Sequence, residues 1–262
     1  MDFTPYAPTD KDRQESPQPF AETNGCMSFA CVHNCEIQAK VIYGVETDWN
    51  EQIVVVGSGT SPISGNSLQN VFNWISSKGL VLTSVYPEPE DFTVSQFYAL
   101  PNPNIVATGA LWLNQWSIQT SLVASNGGKP LTPSGLQTVF NSLTDTPTLI
   151  TIDLNFNGWQ TGYHQFHEVV LLNDKGDYFD SYSTLIKNLD GFKVYYGNKL
   201  IIKPKQMPNA EFIKNGTTNE YGFYLPALSE DALKDKAMNF GINILNPDGS
   251  INFTTAKQVS GL

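Results

Sequence analysis

The chain has 262 residues, and its 40% of hydrophobic residues can build one large core or two modest ones, so a globular fold is expected. With 15 Lys and Arg residues against 25 Asp and Glu residues, the net charge is −10. No basic cluster offsets this charge, which argues against nucleic acid or an anionic membrane surface as a partner. The longest apolar runs, such as IVVV at residues 53–56, fall far short of the ~20 residues that a membrane helix needs.

The beginning of the chain lacks the basic start and apolar stretch of a secretory signal, so a cytoplasmic or virion-associated protein is expected. Residues 1–19 contain four prolines and many charges but little hydrophobic periodicity, which is typical of an extended arm. A main domain is predicted over residues 20–226. Residues 227–262 are interpreted as an appendage, a short amphipathic helix and an extended end, that docks on the domain or on a protein partner.

The first strong helical pattern covers residues 26–39, where apolar side chains form one stripe and further apolar residues lie beside it. This pattern predicts a largely buried helix. Asn24 and Gly25 precede the pattern and supply the chemistry of a helix start, so Cys26 falls in the first helical turn.

All three cysteines lie in this stretch. Cys31 and Cys35 are four residues apart, a spacing that on a helix does not give a disulfide its backbone geometry, and both are interpreted as core residues. His33 is interpreted as a partly exposed histidine on another face of the helix. A zinc site needs four ligands, and the other two histidines come about 130 residues later in the sequence, so no metal site is expected.

Helices are also predicted at residues 66–80 and 132–143, and a series of β-strands follows them. The predicted strands cover residues 146–155, 167–174, 176–183, 192–197 and 199–204. Because the helices come first and an antiparallel sheet comes afterwards, the order predicts an α+β fold with two lobes.

One set of residues could carry nucleophilic chemistry. A thiol becomes a nucleophile when a helix N-terminus or an imidazolium favours its thiolate, and Cys26 lies at a predicted helix start. His167 begins a predicted strand, and Asp180 follows on the adjacent strand, where a carboxylate can orient an imidazole. Cys26, His167 and Asp180 are therefore the predicted nucleophile, base and orienting residue, with His164 as the alternative base.

Five segments resemble the papain-like cysteine peptidases, in the same order along the chain. CMSFA at residues 26–30 is similar to the start of that family's nucleophile helix, and residues 66–90 are similar to its second helix and the Tyr-Pro that follows. LQTVFNSLTDTPTLITIDLNFNGW resembles the helix and strand before the family's catalytic histidine. HEVVLLND resembles the histidine strand, and YFDSYS matches the Asn-Ser-Trp segment. The resemblance covers residues 20–183.

This resemblance implies a two-lobe fold, with a helical lobe around the nucleophile helix and a β-sheet or barrel lobe after it. It implies a thiol peptidase that uses the catalytic triad named above and needs no cofactor. Gln18 is the implied side-chain donor of the oxyanion hole, and Gln14 is the other upstream candidate. The family's usual disulfides are absent, which agrees with a reducing compartment.

The sequence also departs from the family's pattern. Met27 replaces the usual Trp after the cysteine, Asp180 replaces the usual Asn, and Tyr182 stands where a Trp normally shields that residue and the histidine. Trp112, Trp116 and Trp159 could line a substrate cleft, but burial in the core is the favoured interpretation.

Two functions follow from the sequence. The first is hydrolysis of a peptide or amide bond, with a peptide, a protein or a cell-wall peptide as substrate. The second is an inactive papain-like module with a binding or structural role, for example in a virion.

Overall fold

The computed structural model of the chain describes residues 1–9, 13–17, 20–44, 46–89, 91–99, 101–153, 166–205, 217–218 and 224–225. Gln18, His164, Trp159 and the predicted appendage lie outside these residues. By internal contacts, the chain divides into two compact units, residues 1–42 with 46–203 and residues 43–45 with 204–262. The predicted domain boundaries at residues 19 and 226 stay predictions.

The described helices include three of the four that the sequence predicts, α1, α3 and α7; the fourth, in residues 227–262, lies outside the described residues. A short 3-10 helix covers Thr4–Tyr6. The α-helices are α1 (Cys26–Tyr43), α2 (Glu51–Gly57), α3 (Leu68–Lys78), α4 (Val94–Phe97), α5 (Pro103–Ala107), α6 (Ala110–Gln115) and α7 (Pro133–Asn141). Helices α2, α4, α5 and α6 were not predicted, because each is only four to seven residues long and shows little periodicity.

Short polar side chains begin several of these helices. In α2, α3, α4 and α7, the residue before the helix accepts a hydrogen bond from the backbone N–H three residues later, which satisfies a group that has no partner within the helix. These residues are Asn50, Ser67, Thr93 and Thr132.

A six-stranded sheet follows most of the helices, and the predicted α+β class is confirmed. Its strand order is β3-β8-β4-β5-β6-β7, and the pairs β8–β4, β4–β5, β5–β6 and β6–β7 are antiparallel. The strands are β1 (Glu15–Pro17), β2 (Phe20–Glu22), β3 (Trp116–Ser125), β4 (Thr148–Asp153), β5 (Phe166–Leu171), β6 (Asp177–Asp180), β7 (Ser183–Asn188), β8 (Val194–Pro204), β9 (Thr217–Thr218) and β10 (Tyr224–Leu225). β9 and β10 form an antiparallel pair of their own in the second unit.

Three of the predicted strands are wrong in detail. The segments 192–197 and 199–204 form one continuous strand, β8, because its backbone pairs with β4 through Gly197 and Asn198, where the apolar pattern is interrupted. The predicted strand 176–183 ends at Asp180, and the chain turns there into β7, which pairs with β6.

Helix α1 is buried along most of its length, as predicted. A helix that is apolar around most of its circumference needs packing on every side, and α1 also contributes polar anchors. Gln38 donates from Nε2 to the carbonyl of Leu200 at 2.8 Å and accepts the N–H of Ile202 at 3.0 Å. The Gln38 amide thus bonds to β8 as a neighbouring strand would, which fixes α1 against the sheet.

The N-terminal residues are more structured than the extended arm predicted from their composition. Phe3 is fully buried, and its N–H donates to the carbonyl of Leu172 at 2.9 Å. β1 and β2 form an antiparallel hairpin in which Glu15 pairs with Glu22. This hairpin ends four residues before Cys26, the predicted nucleophile.

No α-helix among the described residues is both long enough and apolar enough to cross a bilayer.

Gly79 offers a test of the packing between α3 and α6. It ends α3 with φ 75° and ψ −171°, and a Cβ there would lie 1.9 Å from the carbonyl oxygen of Gly109. We expect Gly79→Ala to lower the free energy of unfolding by about 2–5 kcal/mol in a denaturant titration, through backbone strain and overpacking.

Gly59→Ala is the matched control. Gly59 also has a positive φ, 87°, but a Cβ there would meet nothing within 4 Å, so only the backbone cost of about 1–2 kcal/mol remains. Equal losses in the two variants would contradict the close approach of Gly79 to Gly109.

Candidate active site

Cys26 is the first residue of α1, in the first helical turn as predicted, and it is partly exposed. A tight turn delivers the chain to this position. Asn24 has φ 52°, the one positive value at a described non-glycine residue, and the carbonyl of Gly25 accepts the N–H groups of Ser28 and Phe29. Gly25 is required here, because a Cβ would lie 2.8 Å from Val55. The turn thus places the thiol at the positive end of the helix.

His167 and Asp180 meet on neighbouring strands, β5 and β6, as the sequence predicted. His167 Nε2 lies 2.8 Å from Asp180 Oδ1, and both side chains are buried. Lys187 of β7 donates to the other carboxylate oxygen, Oδ2, at 2.7 Å. The register of β6 with β7 shifts between Tyr178 and Asp180, and Lys187 lies on that stretch of β7. Asp180 therefore lies between two cationic partners.

Asp180 stabilises the positive charge of His167, and the two cationic partners stabilise the negative charge of Asp180. Burial disfavours protonation of His167, but the charge and hydrogen bond of Asp180, together with a hydrogen bond to the Cys26 side chain, raise the pKa of His167 to about 10. Burial likewise disfavours ionisation of Asp180, but His167 and Lys187 hold the pKa of Asp180 well below its usual range. Because Nε2 of His167 is bonded to Asp180, Nδ1 is the nitrogen left for Cys26.

Tyr182 covers the imidazole. Its ring centroid lies 5.0 Å from that of His167 with a 36° tilt, and its N–H donates to Asp180 Oδ1 at 3.1 Å. Its hydroxyl donates to Glu22 Oε2 at 2.8 Å. A ring in this position limits the access of water to the hydrogen bond between His167 and Asp180.

Of the two candidate donors for an oxyanion hole, the structure describes only Gln14. Gln18 lies outside the described residues. The amide of Gln14 is buried and bonded on both sides, because Nε2 donates to Glu22 at 2.9 Å and Oε1 accepts from Ser181 at 2.6 Å. The Gln14 amide is thus held within the site's surroundings.

Other residues singled out from the sequence lie in the core. Cys31 and Cys35 are fully buried, as predicted, and burial raises the pKa of both thiols. Trp112 and Trp116 are buried and pack against Trp49, in agreement with the favoured core interpretation.

The prediction that His33 is partly exposed is wrong. Only 1% of His33 is exposed, because α1 is covered on all sides and the His33 ring packs edge-on against Phe29 and Phe179. Burial lowers the pKa of His33 to about 3, despite the opposing charge of Asp180. Burial thus favours the neutral form of His33.

Among the described residues, His33, Glu36 and Glu51 form a buried group whose candidate ligand atoms all lie within 4.8 Å of one another. His33 Nε2 is 3.1 Å from Glu51 Oε1, and Glu36 Oε1 accepts the N–H of Trp49 at 2.8 Å. These contacts join α1 to the start of α2. The expectation that the chain needs no metal stays a prediction.

Sequence reasoning missed Glu22, Lys187 and Glu168. Lys187 and Glu22 reach the site through strand pairing and a hairpin, which no local pattern specified. Glu168 follows His167 on β5 and is buried, and Thr151 donates to its Oε2 at 2.6 Å, while Oε1 has no hydrogen-bond partner among the described residues. Burial raises the pKa of Glu168 to about 7, against the opposing effects of Thr151 and His167.

No protein-family model matches the sequence, and no curated protein matches it either. Three similar solved structures are a bromelain protease, a procathepsin and a cysteine protease. Bromelain from Ananas comosus, in complex with the E64 inhibitor, is 16% identical over 79% of this chain and 98% of its own, with a TM-score of 0.44. The digestive procathepsin L 3 of Tenebrio molitor larval midgut is 14% identical over 78% of this chain and 68% of its own, with a TM-score of 0.45. A cysteine protease from Carica candamarcensis is 14% identical over 79% of this chain and 98% of its own, with a TM-score of 0.44. At these values, the likenesses identify neither the family nor the activity of this chain.

The pKa of His167 should respond in opposite directions to two substitutions. Asp180→Asn removes the carboxylate charge, so we expect the pKa of His167 to fall by about 1–3 units, and Lys187→Met removes the cation that offsets that charge, so the pKa should rise. Nitrogen NMR shifts of labelled histidines, followed against pH, measure both changes. Neutral His33 supplies an internal control, and an unchanged His167 titration in Asp180→Asn would contradict the geometry.

Glu168 should make the protein less stable as the pH rises. Its pKa is raised from 4.5 to about 7, so the folded state keeps a proton that the unfolded state has already lost between those values. The free energy of unfolding should therefore fall across this window, by on the order of 3 kcal/mol.

Glu168→Gln should remove this fall in denaturant titrations at pH 5 and pH 8, because the amide cannot ionise and can still accept from Thr151. Thr151→Val, which leaves the carboxyl in place, should retain the fall. Identical pH dependence in Glu168→Gln and the unsubstituted protein would show that Glu168 is not the group responsible.

Proposed function

We propose that the protein is a cysteine peptidase or amidase that hydrolyses peptide or amide bonds through Cys26, His167 and Asp180. The observation that carries this proposal is the chain of contacts from a thiol at a helix start, through a buried imidazole, to a buried carboxylate. This arrangement supplies a nucleophile, a base and an orienting group in hydrogen-bond sequence.

In the resting enzyme, Cys26 and His167 form a thiolate–imidazolium pair. The first turn of α1 favours negative charge on the sulfur, because the helix dipole and the N–H groups of that turn point toward it. Asp180 holds the imidazole through Nε2 and stabilises its positive charge. Lys187 in turn keeps Asp180 ionised and oriented.

The sulfur then attacks the carbonyl carbon of the substrate, a C–S bond forms, and the carbonyl electron pair moves onto the oxygen. The backbone N–H of Cys26 has no acceptor within the helix at this position, so it can donate to the oxyanion. Gln18, which the resemblance to papain-like peptidases implies as a second donor, completes the oxyanion hole in this proposal.

His167 next donates its proton to the leaving nitrogen as the C–N bond breaks, which leaves an acyl group on Cys26. Loss of the thiolate removes one of the interactions that raise the pKa of His167, so the imidazolium is a stronger acid at the step that needs one. Water then gives a proton to His167 and attacks the thioester, the C–S bond breaks, and the thiolate returns.

The substrate in this proposal is a peptide or protein, including a cell-wall peptide, and the compartment is the cytoplasm or a virion. A role for residues 227–262 in binding a protein partner also stays a proposal. Hydrolysis requires no cofactor in this scheme, because the thiol and imidazole supply both the nucleophile and the acid.

Selective alkylation of Cys26 tests the ion pair. At pH 6 an ordinary thiol is almost wholly protonated, since its pKa is about 8.5. We expect iodoacetamide to label Cys26 stoichiometrically at this pH and to leave the buried Cys31 and Cys35 unlabelled, as read by peptide mass spectrometry. His167→Ala should abolish the labelling at pH 6, and circular dichroism should confirm that this variant is folded.

Equal and slow labelling of all three cysteines would contradict the enzyme and favour an inactive binding or structural module. Asp180→Asn adds a graded variant, with labelling slower than in the unsubstituted protein but faster than in His167→Ala. Product formation that depends on an added amine would indicate acyl transfer by the same residues.

A further inference from the structure

We propose that Glu22 is a positioning residue that keeps Cys26 aligned with His167. It does so by fixing both the turn that precedes Cys26 and the Tyr182 ring that covers His167. This inference rests on the proposed function, because it concerns the alignment of Cys26 with His167. Glu22 ends β2, four residues before Cys26, and its carboxylate touches neither of these two side chains in the described contacts.

Three donors from separate segments meet at the Glu22 carboxylate. Oε1 accepts from Nε2 of Gln14 at 2.9 Å and from the backbone N–H of Asn24 at 2.8 Å. Oε2 accepts from the Tyr182 hydroxyl at 2.8 Å. A carboxylate suits this position, because it accepts on both oxygens and donates on neither.

The contact with Asn24 acts on the nucleophile. Asn24 holds a positive φ of 52°, which is uncommon for a residue with a side chain and therefore needs support from its surroundings. The Glu22 carboxylate accepts the N–H of Asn24, and the Asn24 side chain donates from Nδ2 to the carbonyl of Pro62 at 2.8 Å. Gly25 and Cys26 follow directly, so this turn sets where α1 begins.

The contact with Tyr182 acts on the base. The Tyr182 ring lies on the His167 imidazole, and the Tyr182 N–H bonds to Asp180. With its hydroxyl held by Glu22, the ring is fixed at both ends of the side chain. Loss of the hydroxyl contact would free the ring to move away from His167.

Gln14 closes the network. Its N–H donates to the carbonyl of Ser181 at 3.3 Å, its carbonyl accepts the N–H of Thr23 at 3.0 Å, and its amide bonds to Ser181 and Glu22. Ser181 precedes Tyr182, and Thr23 precedes Asn24. Glu22 and Gln14 thus connect the segment that leads into Cys26 with the segment that follows Asp180.

The position of Glu22 is electrostatically costly, which strengthens the case for its hydrogen bonds. Glu15 lies directly across the hairpin, and like charges at paired strand positions repel. Burial and the charge of Glu22 raise the pKa of Glu15. The negative charge of Glu22 does not favour a thiolate at Cys26. The proposed role of Glu22 is therefore to accept hydrogen bonds, not to supply charge.

The test compares Glu22→Ala with Glu15→Ala, its matched control on the same hairpin, which removes the same charge. We expect Glu22→Ala to lower the second-order rate of Cys26 alkylation at pH 6 by about 10- to 100-fold, the scale expected for misalignment of reacting groups. Glu15→Ala should change it by less than about 3-fold, because Glu15 has no contact with Asn24 or Tyr182 among the described hydrogen bonds.

The pH profile and a conservative variant separate positioning from loss of structure. In Glu22→Ala the ratio of the alkylation rate at pH 6 to that at pH 9 should fall, since a displaced imidazolium no longer favours the thiolate. Glu22→Gln should restore most of the lost rate, because its Oε1 can accept from Gln14 and Asn24 while its amide donates to the Tyr182 oxygen.

Tyr182→Phe keeps the inference testable if Glu22→Ala does not fold. It removes only the hydroxyl, and we expect it alone to lower the alkylation rate at pH 6; where Glu22→Ala folds, adding Tyr182→Phe to it should change nothing further. Equal rates and pH ratios in Glu22→Ala and Glu15→Ala, or an unaffected rate in Tyr182→Phe, would overturn the inference. If Cys26 of the unsubstituted protein is not selectively labelled at pH 6, the proposed function fails instead.

Discussion

The buried hydrogen bond between His167 and Asp180 is the constraint on which the rest of the site depends. Two charged groups removed from water are stable only when their geometry is good and their remaining hydrogen-bonding atoms are satisfied. Asp180 meets this condition through His167, Lys187 and the N–H of Tyr182. The hairpin of β5 and β6 brings the two residues together, and β7 supplies Lys187 through its shifted pairing.

The helix that carries Cys26 is fixed to the same sheet from the opposite end. Gln38, near the C-terminal end of α1, bonds to the backbone of β8, while the turn at Asn24 and Gly25 fixes its start. A rigid helix held at both ends keeps its first residue at a constant distance from β5. Precise placement of this kind is what nucleophilic catalysis requires, because small displacements of reacting groups cost large factors in rate.

Much of this arrangement could be predicted from the sequence, because it depends on local patterns. The start of α1 at Cys26, the strand that carries His167 and the adjacent strand with Asp180 all follow from periodicity and turn signals. Lys187 and Glu22 could not be predicted in this way, since they reach the site through a register shift and a hairpin. His33 was misjudged because its exposure depends on what packs around α1, which the periodicity of the helix does not specify.

In the proposed mechanism, Cys26 and His167 together cleave amide bonds. The most direct measurement is mass spectrometry of a complex peptide mixture after incubation with the purified protein and with Cys26→Ala and His167→Ala. We expect new peptide termini with the unsubstituted protein, an acyl adduct on Cys26 in rapidly quenched samples, and neither with the two variants. Identical peptide mixtures from all three proteins would contradict it.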